Sequence, residues 1–213
     1  MIKSRLNSRT KKIVMNKINF FYEGRLNKIS KYANRNNAGG KIRQAMGDLG
    51  EDLSALAWIE IAKIYSDIEK STKPKKGEKD QVKCVNKKGN KFYAHVDKHC
   101  YINGEFISAI EAKSYLDFCY YFRASNDFRL LKMYFDKKLI CIVVSIENAI
   151  KEESKKFIED EKWVDKTFIL TDGKRSSAKP IWKKEFRKKL NPDKVKNFVE
   201  FLDNVFCKIL PIK

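Results

Sequence analysis

The chain has 213 residues, 43% of them hydrophobic and 12% aromatic, enough for one core of its own and too much for a disordered polymer. Its 46 Lys and Arg stand against 27 Asp and Glu, a formal charge of +19, far beyond what solubility needs, so polyanions are the natural partner. A membrane surface is the other anionic option, but the longest good apolar run, residues 139–146, is strand-sized and falls short of the roughly 18–20 residues of a span.

No secretory signal is expected, because Lys11, Lys12 and Lys17 break the only apolar candidates near the start. Five cysteines, Cys84, Cys100, Cys119, Cys141 and Cys207, are odd in number and contain no C-x-x-C. They read as reduced, partly buried thiols of a cytoplasmic protein. His95, His99 and Cys100 lie close together, yet no second ligand pair with zinc spacing accompanies them.

Residues 1–47 read as a basic, Asn-rich arm in which twelve Lys and Arg, from Lys3 to Arg43, face Glu23 alone, a composition that can follow a phosphate backbone. A helix is expected within residues 12–32, and Asn36-Asn37-Ala38-Gly39-Gly40 as a flexible break. A solvated helix with a basic face accounts for the same residues. The remainder, 48–213, reads as one domain. Asp48-Leu49-Gly50-Glu51 has the D-x-x-E spacing of a capping box, followed by Leu53, Leu56, Ala57, Ile61, Ile64 and Ile68 at helical spacing. Residues 71–80, with Pro, Gly and Lys, read as a loop, 81–85 as a first strand and 86–90 as a turn.

Residues 91–116 then read as a hairpin turning at Asn103-Gly104, with Asp97 on the outgoing arm and Glu111-Ala112-Lys113 on the return. Strand side chains alternate faces, so Glu111 and Lys113 share one. A two-residue loop would pair Ile102 with Glu105, set Asp97 opposite Ile110 and split the group. A three-residue loop, Ile102-Asn103-Gly104 with Gly104 left-handed in a bulge, pairs Tyr101 with Glu105 and Asp97 with Ala109. Asp97 then lies diagonal to Glu111, with Cβ atoms about 7–8 Å apart or less, a separation that two carboxylates sharing a divalent cation can span. The three-residue loop is therefore expected. It sets His95 opposite Glu111, where a supporting hydrogen bond or a half-exposed strand histidine are both admissible.

Beyond Lys113, one or two helices are expected across residues 115–135. Arg123, Ser125, Asn126 and Asp127 interrupt their apolar stripe, either as groups able to contact base edges or phosphate or as a helix break capped at Ser125 or Asn126. Residues 139–146 (LICIVVSI) have the pattern of a strand buried on both faces. A partly helical stretch, 147–166, leads to a last strand at 167–171, which implies a parallel crossover. The hydrophilic loop after it carries Lys174, Arg175, Ser176, Ser177 and Lys179, the best candidates for DNA contact outside the central hairpin. A final helix, about 193–210, buries Val195, Phe198, Val199, Leu202, Val205, Phe206 and Ile209 as core or dimer surface.

Asp97 followed by Glu111-x-Lys113, with the apolar run Phe106-Ile107-Ser108-Ala109-Ile110 between them, resembles the signature of the PD-(D/E)XK nucleases in the form seen in type II restriction endonucleases. Val96 stands where that family usually has Pro, a position that varies. The resemblance covers roughly residues 48–172 and implies a restriction-endonuclease-like α/β/α core with a mixed central sheet, preceded here by the basic helical segment. It implies that Asp97, Glu111 and the carbonyl of Ala112 hold Mg²⁺ and that Lys113 orients or helps deprotonate a water attacking a phosphodiester. Glu51 is the position that could carry a carboxylate to a second metal, and its place in the capping box explains it equally well. The implied activity is site-specific hydrolysis of double-stranded DNA by a homodimer. A repair or junction-resolving nuclease of the same fold, and a nucleic-acid-binding protein without catalysis, are the alternatives.

Overall fold

The computed structural model describes residues 4–32, 38–65, 70–71, 81–85, 91–135 and 139–209. The expected loop at 72–80, the turn at 86–90, residues 36–37 of the break and Ile68 lie outside the described residues.

Helix α1 (Ser8–Tyr32) forms because Val14, Ile18, Tyr22, Leu26 and Ile29 recur every three or four residues and give it one buried stripe. That stripe joins one cluster with Leu49, Leu53, Trp58 and Ile61 of α2 (Ala38–Ala62) and Val195, Phe198, Leu202 and Phe206 of α5 (Pro192–Ile209). The basic N-terminal segment is thus packed on the body of the protein, and part of its charge is engaged there. Lys11 pairs with Glu200, Lys17 with Glu60 at 2.5 Å, and Arg25 with Asp52.

Two expectations about α2 are corrected. Gly39 and Gly40 are helical and not a break, and Asp48-Leu49-Gly50-Glu51 lies in the middle of the helix, where no N-terminal amide needs a cap. The cause is packing: Ile42 and Met46 continue the buried stripe of Leu49 and Leu53 backwards by two turns, and that burial outweighs the poor helix propensity of glycine.

The central sheet has the order β1-β4-β5-β6-β7, from β1 (Lys70–Ser71), β4 (Lys98–Ile102), β5 (Glu105–Leu116), β6 (Ile140–Asn148) and β7 (Lys166–Ile169). β1, β4 and β5 are antiparallel neighbours, whereas β5, β6 and β7 run parallel. The parallel part is connected through α3 (Phe118–Tyr134) and α4 (Glu152–Glu159), as parallel strands require. β6 is buried along almost its whole length. Ile142, Val144 and Ile146 join the α1/α2/α5 cluster, while Cys141 and Val143 join Tyr121, Ala124, Phe128 and Leu131 of α3. Helices therefore cover both faces of a mixed sheet, an α/β architecture. No helix among the described residues is long and apolar enough to cross a membrane.

α3 is a single helix. Its N-cap is Asp117, whose carboxylate accepts from the amide of Tyr120 at 2.8 Å, and Ser125 and Asn126 are both helical, so of the two alternatives the break capped there is not the one adopted.

The hairpin differs from expectation in a way that decides the site. Ile102 pairs with Glu105, so the loop has two residues, with Asn103 at φ 51° and Gly104 at φ 79°. Positive φ at both positions is the turn that Asn-Gly favours and that matches strand twist. Tyr101 pairs with Phe106 but Cys100 pairs with Ser108, so Ile107 is an extra residue on β5. The bulge restores the parity that a two-residue loop alone would have lost. Lys98 pairs with Ile110, and the position before it, Asp97, reaches Glu111 and not Ala109. The outgoing arm is also not one strand: β3 (Lys91–His95) pairs with β2 (Gln81–Val85) in a separate two-stranded sheet, and His95 sits opposite Gln81 instead of Glu111.

Gly50 is where α2 crosses β5. A Cβ there would lie 3.3 Å from the carbonyl oxygen of Lys113 and 3.5 Å from its amide nitrogen, both backbone atoms of the sheet that cannot swing away. Gly50→Leu is expected to force helix and strand apart and cost about 1–3 kcal/mol, as overpacking does. Chemical denaturation measures it, and a variant as stable as the parent would show that the approach is not tight.

Candidate active site

β4 begins at Lys98, so among the described residues the C-terminal half of β5 pairs with no strand on that side and its edge amides need other partners. Val96, 2% exposed, is anchored in the α3 cluster and turns the chain there. Asp97 follows at a bend, and its Oδ2 accepts the amide of Ala112 at 2.8 Å, replacing a ladder bond. A strand residue directs its N–H and C=O to the same edge, so the carbonyl of Ala112 faces the side on which Asp97 sits.

Glu111 and Lys113 project from β5 beside this carboxylate. The ammonium of Lys113 donates to Asp97 Oδ2 at 2.9 Å and to Glu111 Oε2 at 2.6 Å. The three expected residues thus converge. They line a cleft of about 370 Å³ whose walls come from α2, with Arg43, Gly47 and Glu51, and from α3, with Tyr120, Arg123 and Asp127.

Glu111 is 5% exposed. Burial, reinforced by the adjacent Asp97 carboxylate, raises its pKa to about 8 against the pull of Lys113. Burial also disfavours the charge on Lys113, but Glu111 and Asp97 more than offset it and hold the ammonium above its ordinary value. Glu111 thus holds its proton far more tightly than an ordinary carboxyl, beside the Lys113 ammonium, and a cation bound there would compete with that proton.

The donor set fits a hard divalent cation such as Mg²⁺. Two carboxylates lie within reach of one lysine, a backbone carbonyl shares their edge, and all are oxygen ligands. Among the described residues no group of three or more His, Cys, Asp or Glu could hold a metal, so such an ion would be bound by two side chains and keep several waters. Glu51 lines the same cleft but is paired with Lys98 at 2.9 Å. With capping removed as an explanation, its observed role is to tie α2 to the start of β4.

The expected DNA contacts separate. Arg123 is exposed and lines the cleft, whereas Asn126 is exposed on α3 without lining it. Arg175 lies over the ring of Tyr115, 3.8 Å from its centroid, and Tyr115 lines the cleft next to Tyr120. This contact sets Arg175 beside the site, whereas Ser176, Ser177 and Lys179 do not line the cleft. Lys174 turns the other way, 3.6 Å from Glu152 of α4. Sequence reading missed Arg43, Gly47, Tyr115 and Tyr120 as cleft residues. The signal for the first two was the four-residue spacing Arg43, Gly47, Glu51, hidden by starting the helix at the capping box of Asp48.

Fold and cleft together define an α/β protein with an acidic pair bridged by a lysine at the open edge of a central strand. No family model matches the chain, and no curated protein matches it in sequence. The chemistry of the site therefore rests on its own geometry.

Proposed function

We propose that the protein is a Mg²⁺-dependent nuclease that hydrolyses phosphodiester bonds in double-stranded DNA, and within that class a type II restriction endonuclease. The observation that carries the reading is the convergence of Asp97, Glu111 and Lys113 in one cleft of a chain whose charge is +19. Asp97, Glu111 and the Ala112 carbonyl would hold the ion, which when bound lowers the pKa of its water and stabilises charge on the scissile phosphate. Lys113, which donates to both carboxylates, would supply the ammonium that orients the attacking water or neutralises the phosphate. A palindromic site presents two equivalent strands, so the acting form is a homodimer with one cleft on each.

Incubation with plasmid and phage DNA in Mg²⁺ tests the reading. Discrete fragments support a restriction enzyme, and a smear leaves a nonspecific nuclease of the same chemistry. Retained binding without cutting would leave a nucleic-acid-binding protein in which Lys113 is a structural ion-pair partner. Light scattering with and without duplex tests the dimer.

Arg175 offers a separate test of specificity. If it pairs with guanine in the major groove, Arg175→Ala should cost about 1–3 kcal/mol on the cognate site and much less on a scrambled duplex. Competition binding at fixed salt measures this, and equal losses on both would make the residue a phosphate contact.

A further inference from the structure

The carboxylate floor of the cleft explains neither of its walls. On α2, Arg43, Gly47 and Glu51 recur every fourth residue and so share a face; on α3, Tyr120, Arg123 and Asp127 do the same at spacings of three and four. The buried side of α2 belongs to one core cluster and that of α3 to the other, on opposite faces of the sheet. The two walls therefore stand on either side of the exposed end of β5, and each carries one arginine.

Those arginines differ from most charged groups near them. Asp97 and Glu111 are bonded to Lys113, and Glu51 to Lys98. Arg43 and Arg123 are exposed and have no ion-pair partner among the described residues. The floor is acidic, so a polyanion crossing it is repelled unless cations at the rim compensate, and a guanidinium fork matches two phosphate oxygens at once. Between Arg43 and Glu51, Gly47 is a helix-interior glycine whose added Cβ would meet nothing within 4 Å. Among the described residues no packing requires glycine there, and the space it leaves opens on the cleft.

From this arrangement we infer that Arg43 and Arg123 form a two-sided clamp on the phosphates of a DNA strand lying across the cleft, and that Gly47 provides clearance for its sugar–phosphate backbone. The inference rests on the nucleic-acid reading of the proposed function and extends it to how the substrate is held.

Binding of a short fluorescent DNA duplex to the full chain in EDTA, over a salt series, tests the clamp apart from catalysis. Arg43→Ala and Arg123→Ala should each weaken binding about tenfold on any sequence and lower the slope of log K against log salt by about one. Arg→Lys at either position should restore part of the affinity, because charge remains without the fork. Gly47→Leu should keep or raise the melting temperature, since leucine is the better helix former, while weakening binding. Wild-type affinity and slope in both alanine variants would overturn the clamp, as would a parent chain that binds no duplex. A parent that binds but never cuts would sink the nuclease reading and leave the clamp supported by the alanine variants; one that cuts normally with both arginines removed would do the reverse.

Discussion

Asp97→Asn and Glu111→Gln are each expected to lower Mg²⁺-dependent DNA cleavage by at least about a thousandfold, roughly 4 kcal/mol of transition-state stabilisation, while duplex affinity in EDTA stays within about threefold of the parent. The amide variants are chosen over alanine because Asp97 also accepts the amide of Ala112 at 2.8 Å. Asn retains an oxygen for that bond and removes only the charge. Affinity should survive because a chain with charge +19 binds duplex through its cationic surface, whereas the two carboxylates oppose a polyanion. Lys113→Met should fall as far in cleavage, and it separates two roles. If Lys113 takes the proton, it must do so as the neutral amine, and parental activity should rise with pH in a way the variant lacks; if its ammonium only orients the water, parent and variant should share one pH profile. Cleavage near the parental rate in Asp97→Asn would remove Asp97 from the site.

Part of this site was legible in the sequence. The parity of Glu111 and Lys113 follows from strand geometry alone, and they do share a face with Asp97. The register that brings Asp97 there was not legible. Phe106 packs with Tyr101, His99 and Phe135 on the α3 side, and Ile107 and Ile110 both point into the other cluster. Ile110 is three positions on from Ile107, an odd offset, so strict alternation cannot place both on one face, and the bulge at Ile107 follows from packing on both faces of the sheet. No glycine marks it, and the run is apolar apart from the buried Ser108. The Asn-Gly turn was read correctly as a turn and wrongly as three residues, because the parity requirement was assigned to the loop and not to the strand beyond it.

The helical part failed for a different reason. Gly39-Gly40 and D-x-x-E are sound local signals, but Ile42, Met46 and Leu49 extend the apolar stripe through them, and burial of that stripe decides where α2 begins. The same burial explains why the basic N-terminal segment is attached to the core. Its buried face carries five apolar residues, and three of its cations beside that face pair with acids of α2 and α5. Composition reported the charge correctly and said nothing of the face opposite.

Thermal stability should depend on pH through Glu111. Its folded pKa is raised to about 8 from an ordinary 4.5, first by burial and then by the Asp97 charge. The folded chain therefore holds the proton more tightly than the unfolded chain does. The stabilising contribution is complete below about pH 4.5 and is lost as pH rises toward 8, at up to about 1.4 kcal/mol per pH unit. In EDTA the melting temperature of the parent should fall across this window relative to that of Glu111→Gln, which has no proton to lose and serves as the reference for every other titrating group. Mg²⁺ changes the sign of the comparison. An ion held by Asp97 and Glu111 would compete with the proton, so the stabilisation it confers should grow with pH and be greater at pH 8 than at pH 6, and Glu111→Gln should lose most of it. Melting curves of both chains at pH 5, 6.5 and 8, with EDTA or Mg²⁺, separate the two effects. Parallel pH profiles of parent and variant in EDTA would show that Glu111 is ionised throughout, held by Lys113, and that the acid pair shares no proton for a metal to displace.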